Sequence, residues 1–538
     1  MKKVAIVVLA VVLASGLILS GCAQPAPAPT PAPTPAPTPS PAPSPAPAPA
    51  PAPDKYGGIL KIGSIHPPTH FGYPPLIRGW DINHANLCLQ HLVTVDSQTG
   101  AFQPQLATSW ELAPDKSYYL FNLREGVKFH DGTDFNAQTV KWNLDQLVEA
   151  KNPAVEKIVS IEVIDDYTIQ LNVSGWDNLL LAHLAVDSYT YIVSPTAVEK
   201  VGVDKAKFGA VGTGPFKLTN EAVSQAVPVK YTKFTDYWEE GLPYLDGIEV
   251  TFIADPLVLL MSLKAGEINV ANGIELDGAS ELQAEGQYIL GQQLTACTNL
   301  FFNSSDPTRI FADSRVRQAV EYAIDKDKIA EALGYGFVNP TYEIIPRTGE
   351  CPGKELRKYD PDKARQLLAE AGYPDGFKTG MHCQPRVQDK LYAGALQEYL
   401  AAVGIDVDII VTDFPLMRSL NMEGGLEDNI FMTLHRVYYN ALYSADVDVT
   451  PQSPMAVKEM ARTPGLMDLF EKAKVEEDPG KLDELLCQME ILGYDDAMLI
   501  PFMQGAELTG IDPSLRDYDF FSVTSAVFHD VSKTWLSK

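Results

Sequence analysis

The sequence predicts a mixed α/β layer architecture for residues 54–538, and three local patterns carry that reading. Ser160–Ser174 reads as a hairpin: Ile161 and Val163 alternate before Asp165-Asp166, and Ile169, Leu171 and Val173 alternate after it. Asp360-Pro361 reads as a helix N-cap with proline in the first helical position, and Gly372 stops that helix. Leu391–Val403 reads as a further helix closed by Gly404, after which Ile405, Val407, Ile409 and Val411 alternate as a strand. Helices that feed strands through short glycine turns favour α/β layers.

The remaining elements follow the same logic. Gly241–Ile253 supplies a turn and then the strand Ile248, Val250, Phe252. Pro256–Ala265 reads as a short helix ending near Gly266. Asp313 can cap a helix in which Val316, Ala319, Val320, Ala323 and Ile324 stand at helical spacing. No internal repeat of solenoid length is visible.

Composition bounds the function. With 46% hydrophobic and 21% charged residues, a large core can form, and a chain of 538 residues suggests two or three domains. Residues 1–53 hold two lysines and no acid, so the rest carries 40 basic against 69 acidic side chains, a formal charge of −29. That balance argues against nucleic acid or anionic lipid as a partner.

The N-terminus is an export signal by pattern. Lys2 and Lys3 precede an apolar run from Val4 to Ile18, and small residues then lead to Cys22. The run is shorter than the ~20 residues a membrane span needs, and no later segment is apolar enough to be one. Leu19-Ser20-Gly21-Cys22 resembles the lipobox of bacterial lipoproteins, which implies a signal peptide over 1–21 and lipidation of Cys22. Every odd position from Pro25 to Pro53 is proline. Proline fixes φ and lacks an N–H, so within the segment 22–53 the stretch Pro25–Pro53 is expected to be an extended stalk of up to about 90 Å. The folded part is therefore expected at the outer face of the cell membrane or in a periplasm, held by its lipid.

Five cysteines remain: Cys88, Cys297, Cys351, Cys383 and Cys487. None stands in a Cys-x-x-Cys spacing, so neither zinc nor redox chemistry is indicated. Buried thiols acting as small hydrophobes are the default, with a disulfide among them left open.

A set of ordered segments then resembles a known family. They include Gly57-Gly58-Ile59-Leu60-Lys61-Ile62-Gly63, Leu123-Arg124-Glu125-Gly126-Val127-Lys128-Phe129-His130-Asp131-Gly132-Thr133, Val211-Gly212-Thr213-Gly214-Pro215-Phe216, Arg315-Val316-Arg317-Gln318-Ala319 and Leu367-Leu368-Ala369-Glu370-Ala371-Gly372-Tyr373. Together they resemble the family 5 solute-binding proteins of bacterial ABC importers, the dipeptide, oligopeptide and nickel-binding type. The resemblance implies a two-lobed periplasmic-binding-protein fold of type II, with lobe one over 54–297, an extra subdomain at about 93–190, lobe two over 298–500 and a C-terminal return over 501–538. It implies a monomer that binds a peptide or other small solute between the lobes and delivers it to importer permease subunits. It implies no catalysis and no cofactor. His130-Asp131 is read as structural, and Gly212-Thr213-Gly214 as a tight turn, since it lacks the rest of a phosphate loop.

One segment departs from the family pattern. Peptide-binding relatives carry an Asp-Pro pair after a Trp-Gly-like element, and the Asp pairs with the peptide amine. This chain has no Asp-Pro between Phe431 and Thr450. Arg436, Tyr438, Tyr439, Asn440, Tyr443 and Asp446 are the ligand-binding candidates there, with Gln504 on the return strand and His66 and His70 on the loop after the first strand. His66-Pro67-Pro68-Thr69-His70 also motivates an alternative, a nickel or metal-chelate ligand on the same scaffold, although prolines forbid the helix that an H-x-x-x-H site uses. A secreted enzyme or a structural surface protein is the alternative of another class; no G-x-S-x-G or H-E-x-x-H motif supports it.

Overall fold

The computed structural model describes residues 55–77, 81–96, 101–220, 223–346, 351–437, 440–451, 457–518 and 531–537. Cys22, the proline stalk, Tyr438 and Tyr439 lie outside them, as does the side chain of Arg436.

One sheet organises the molecule. Its first wing is built on the parallel strands Ile59–Ser64, Gly247–Phe252 and Val270–Asn272. Its second wing is built on the parallel strands Phe377–Cys383, Ile405–Val411 and Ile430–Arg436. Two long antiparallel strands, Ile289–Phe302 and Ile500–Ile511, run from one wing into the other. Ile511 pairs with both Val270 and Ile289, while Leu300 pairs with both Ile500 and Met432. Their register slips between Gln293 and Ala296, and an irregular ladder bends and twists the strands. This pair is the link on which the relation of the two wings depends.

Sequence patterns become elements for ordinary reasons. The hairpin forms over Ile158–Asp165 and Thr168–Val173, and Ile161, Ile169 and Leu171 are buried on one face. It joins Ala107–Leu112 and Tyr118–Leu123 in a separate four-stranded antiparallel sheet, on which the helix Ala137–Glu149 packs. Asp313 and Asp360 cap the helices Ser314–Tyr322 and Pro361–Glu370 with side-chain oxygens. The helix expected at Leu391 begins earlier, at Val387. Its first turn is polar and gives no apolar period, but Arg386 and Asp389 clamp it with N–H···O bonds of 2.7 and 3.1 Å.

The signature segments are structural. A Cβ at Gly212 would lie 2.3 Å from the Cys88 carbonyl oxygen, so the turn can press there only as glycine. Gly214 N–H donates to that same oxygen at 2.8 Å, and the buried His130 ring meets the Gly214 carbonyl at 2.9 Å. Asp131 accepts from Ser194 Oγ at 2.6 Å. Cys351 and Cys487 form a disulfide, whereas Cys88, Cys297 and Cys383 are buried thiols. Among the described residues no helix is long and apolar enough to cross a membrane.

Candidate functional site

Two cavities lie where parts of the fold meet. The first, of about 170 Å³, sits over the crossing strands. Ile65, His66 and Glu275 line it from the first wing, Arg386, Asp389, Tyr392 and Leu434 from the second, and Thr298, Met503, Gly505 and Glu507 from the crossing strands. Parallel strands place loops at their C-terminal ends, and ligands in α/β folds collect at such ends. His66 follows the strand Ile59–Ser64, and its N–H donates to Ser64 Oγ at 3.1 Å. Its Nε2 stands 3.4 Å from Glu507 Oε1. Burial lifts Asp389 above the usual carboxylate range, against the pull of Arg386. Burial also lifts Glu275, again against Arg386, and pushes the Tyr392 hydroxyl up to about 12.

The second cavity, about 580 Å³, opens where the small sheet's neighbourhood meets the second wing. A polar seam borders it. His183 Nδ1 stands 2.8 Å from Asp187 Oδ2, and its Nε2 stands 3.7 Å from Asp446 Oδ2. The Tyr443 hydroxyl donates to Asp187 Oδ1, and the Tyr443 ring meets His183 edge-on at 5.2 Å. Burial would lower the His183 pKa, but Asp187, Asp446 and Asp177 raise it above its ordinary value. Burial pushes Asp446 up to about 6, with His183 opposing and Asp187 assisting. Asn178 adds a backbone bond to the Lys474 carbonyl at 2.8 Å.

Comparison with known proteins places this arrangement. The model of the bacterial extracellular solute-binding proteins, family 5 (middle), matches residues 101–452. The chain belongs to that family. It is 34% identical over 332 residues to the glutathione-binding protein GsiB of Shigella flexneri, a match covering 59% of this chain and 62% of that protein. The match to GsiB of Salmonella typhi has the same identity and the same shares of both chains. The chain thus spans less than two thirds of these relatives' length. Among solved structures, DppA of Helicobacter pylori in complex with the peptide STSA superposes with a TM-score of 0.78 at 24% identity, covering 90% of this chain and 99% of that one. NikA of Brucella suis in complex with Fe(III)-EDTA gives a TM-score of 0.78 at 22% identity, covering 88% and 99%. These likenesses show the fold: the two wings are the lobes of a two-lobed binding protein.

Within this family 5 protein the sequence candidates separate. His66 lines the cleft over the crossing strands. His70 does not join it: its N–H donates to Asp81 at 3.1 Å and its ring packs on Phe208 at 5.0 Å. Asn440 caps the helix Ala441–Asp448, its Oδ1 accepting from Leu442 N at 2.8 Å and Tyr443 N at 3.2 Å. Tyr443 and Asp446, three apart on that helix and so on one face, both meet the His183–Asp187 pair. Gln504 sits between Met503 and Gly505, which line the cleft, and strand alternation turns it to the other face. Arg436 pairs through its backbone with Ala296, at the cleft's edge. Sequence reading missed Glu275, Arg386, Asp389 and Glu507. For Glu507 there was a signal: it is the one charge in the strand Ile500–Ile511.

Proposed function

We propose that this protein binds a small solute, a dipeptide or oligopeptide, in the cleft over its crossing strands and delivers it to the permease of an ABC importer. The observation that supports this is a cleft walled by both lobes and floored by the strands that link them. A solute touching both lobes favours the closed form over the open one, and closure is the state a permease reads. The relatives named above bind glutathione, a peptide and a metal chelate on one scaffold, so the scaffold alone does not choose the solute. His66 and His70 have different surroundings, which removes the pair that motivated a nickel ligand. In this reading Cys22 carries the lipid, the stalk gives reach, the protein acts as a monomer outside the cytoplasmic membrane, and the His183 seam is a contact between lobes that forms on closure.

The test is binding by the full chain. A peptide pool at 100 times the dissociation constant should stabilise the protein by ~2.7 kcal/mol and should reduce its radius of gyration in small-angle scattering. A protein that neither melts higher nor compacts with any peptide, sugar or metal-chelate pool is not a transport receptor.

A further inference from the structure

A short segment of the second lobe makes three contacts at a regular spacing. Residues 351–360 form neither helix nor strand. Cys351, Lys354 and Arg357, three apart, turn their side chains inward, while Pro352, Glu355, Leu356 and Lys358 stay exposed. All three meet the long helix Pro479–Asp495. Cys351 is bonded to Cys487. Lys354 Nζ stands 2.6 Å from Glu490 Oε1. The Arg357 N–H donates to the Tyr494 hydroxyl at 2.8 Å, and its guanidinium lies 3.9 Å from the centre of that ring. Cys487, Glu490 and Tyr494 follow one another at three and four residues, so they form one stripe of the helix. The segment is a strap zipped onto that stripe.

The strap covers charges that the second lobe can least leave bare. The side chains of Glu490 and Glu321 are fully buried. Burial pushes Glu490 above the usual carboxylate range, and Lys354 is the main group opposing it. Arg357 Nε stands 2.5 Å from Glu321 Oε2, with Lys326 at 2.7 Å from the other oxygen. A buried acid that loses its cation is strongly destabilising. Glu490 also reaches toward the cleft. Its two oxygens accept from the N–H groups of Ile344 at 2.9 Å and Ile345 at 2.7 Å. Those residues follow the strand Val338–Pro340, which pairs with Met503–Gly505, and Val338, Met503 and Gly505 line the cleft. Among the described residues no helix or strand ladder holds residues 351–360 themselves.

We propose that the Cys351–Cys487 bond is a one-way lock on this strap: oxidation of the two thiols seats Lys354 and Arg357 over Glu490 and Glu321, and the second lobe is complete up to the edge of the cleft only then. The step is an exchange with a disulfide-bearing oxidant. The two thiols give up two protons and two electrons and join through a new S–S bond, while the S–S bond of the oxidant breaks to give two thiols. The lock is one-way because Cys351 and Cys487 are 5% and 8% exposed, so a reductant reaches the bond after local opening. The bond ties residues 136 apart, which removes much freedom from the unlocked chain. The location proposed above puts the oxidant outside the cytoplasm. The lock itself depends neither on that location nor on which solute the cleft takes.

The experiment compares the full chain with its disulfide, the same chain refolded with dithiothreitol, and the double variant Cys351→Ser/Cys487→Ser. Mass spectrometry follows tryptic cleavage after Lys354 and Arg357, and amide exchange along the chain. The oxidised chain should be cut slowly at both sites. Loss of the bond should speed cutting about 30-fold or more, the ratio a typical disulfide supplies. It should also raise exchange over 338–345 and 479–495, while the strands Ile59–Ser64 and Tyr118–Leu123 keep their protection. Lys354→Gln with the bond intact should leave cutting after Arg357 little changed, because the covalent tie still holds the strap. That variant keeps the disulfide, so it reads the lock even where the serine pair folds poorly. Equal cutting with and without the bond, or unchanged exchange over 338–345, would overturn the lock. Loss of protection along the whole chain at once would overturn it too, since the bond would then serve the entire fold rather than a strap. Rapid cutting after Arg357 in Lys354→Gln would assign the strap to the ion pair and not to the bond.

Discussion

The cleft and the seam cavity invert the usual relation between size and chemistry. The seam cavity is more than three times larger, at about 580 Å³ against 170 Å³, yet its key polar groups already hold one another: His183 with Asp187, Tyr443 with Asp187, Asp446 facing His183. In the smaller cleft Glu507 Oε1 has no hydrogen-bond partner among the described residues, and His66 Nε2 stands 3.4 Å from it. Satisfied groups stabilise a contact, whereas an unsatisfied one asks for a partner from outside. Under the proposed function, the cleft walled by both lobes, rather than the larger volume, is where a solute belongs.

Blocking each cavity in turn gives the largest expected effect. A Cβ added at Gly505 meets nothing closer than Val338 Cγ2 at 4.0 Å, so Gly505→Phe can place its ring in the smaller cleft without a backbone clash. Solute affinity should fall by about 100-fold, equivalent to ~2.7 kcal/mol. Met422→Trp, on the wall of the larger cavity and 40% exposed, should leave affinity within about twofold, as surface substitutions do. Calorimetry on both variants decides. If Met422→Trp abolishes binding and Gly505→Phe does not, the assignment of the two cavities is reversed.

Much of the fold was legible because its signals are local. The hairpin around Asp165-Asp166 and the caps at Asp313 and Asp360 need only neighbouring residues. The cleft is assembled from Glu275, Arg386 and Glu507, which are more than a hundred residues apart in sequence, and in a chain of net charge −27 each reads as one more surface charge. Tyr443 and Asp446 did look like polar residues with a task. Their partners, His183 and Asp187, lie far upstream and could not be seen from the Phe431–Thr450 segment. The disulfide was left open for the same reason: a separation of 136 residues between Cys351 and Cys487 carries no pattern.

A smaller effect sharpens the seam. Tyr443→Phe removes the hydroxyl donor to Asp187 Oδ1 and leaves that part-buried oxygen short of a bond. The cost should be about 1–3 kcal/mol, seen as a lower melting temperature. Solute affinity measured at saturating closure should change little. If scattering shows the solute-free variant more open than the wild type at equal folded fraction, the seam belongs to the closed form, as proposed. If the variant is as stable and as compact as the wild type, the seam bond contributes nothing.

The last expected effect is the seam's response to pH, and its sign follows from the direction of the shifts. Asp446 moves from 3.8 up to about 6 in the folded protein, and His183 moves above 6.5. Both groups therefore bind protons more tightly folded than unfolded. Stability falls with rising pH wherever the folded state holds more protons. The Asp446 contribution is fully present below 3.8 and is lost as pH passes 6; that of His183 persists higher and is lost above its own raised value. Buried histidines elsewhere act in the opposite sense, since burial lowers His84, His91 and His130 to about 4. The informative quantity is thus the difference between variants. Asp446→Asn keeps the neutral form at every pH, although Asp187, Asp177 and Glu156 remain nearby and Lys474 still faces the position. Its melting temperature should match the wild type's near pH 4 and gain on it steadily up to about pH 7. A difference that stays flat with pH would mean that Asp446 titrates normally and the seam is not the pH-sensitive half of the pair; the cleft, where burial raises Glu275 and Asp389, would then be the region to titrate.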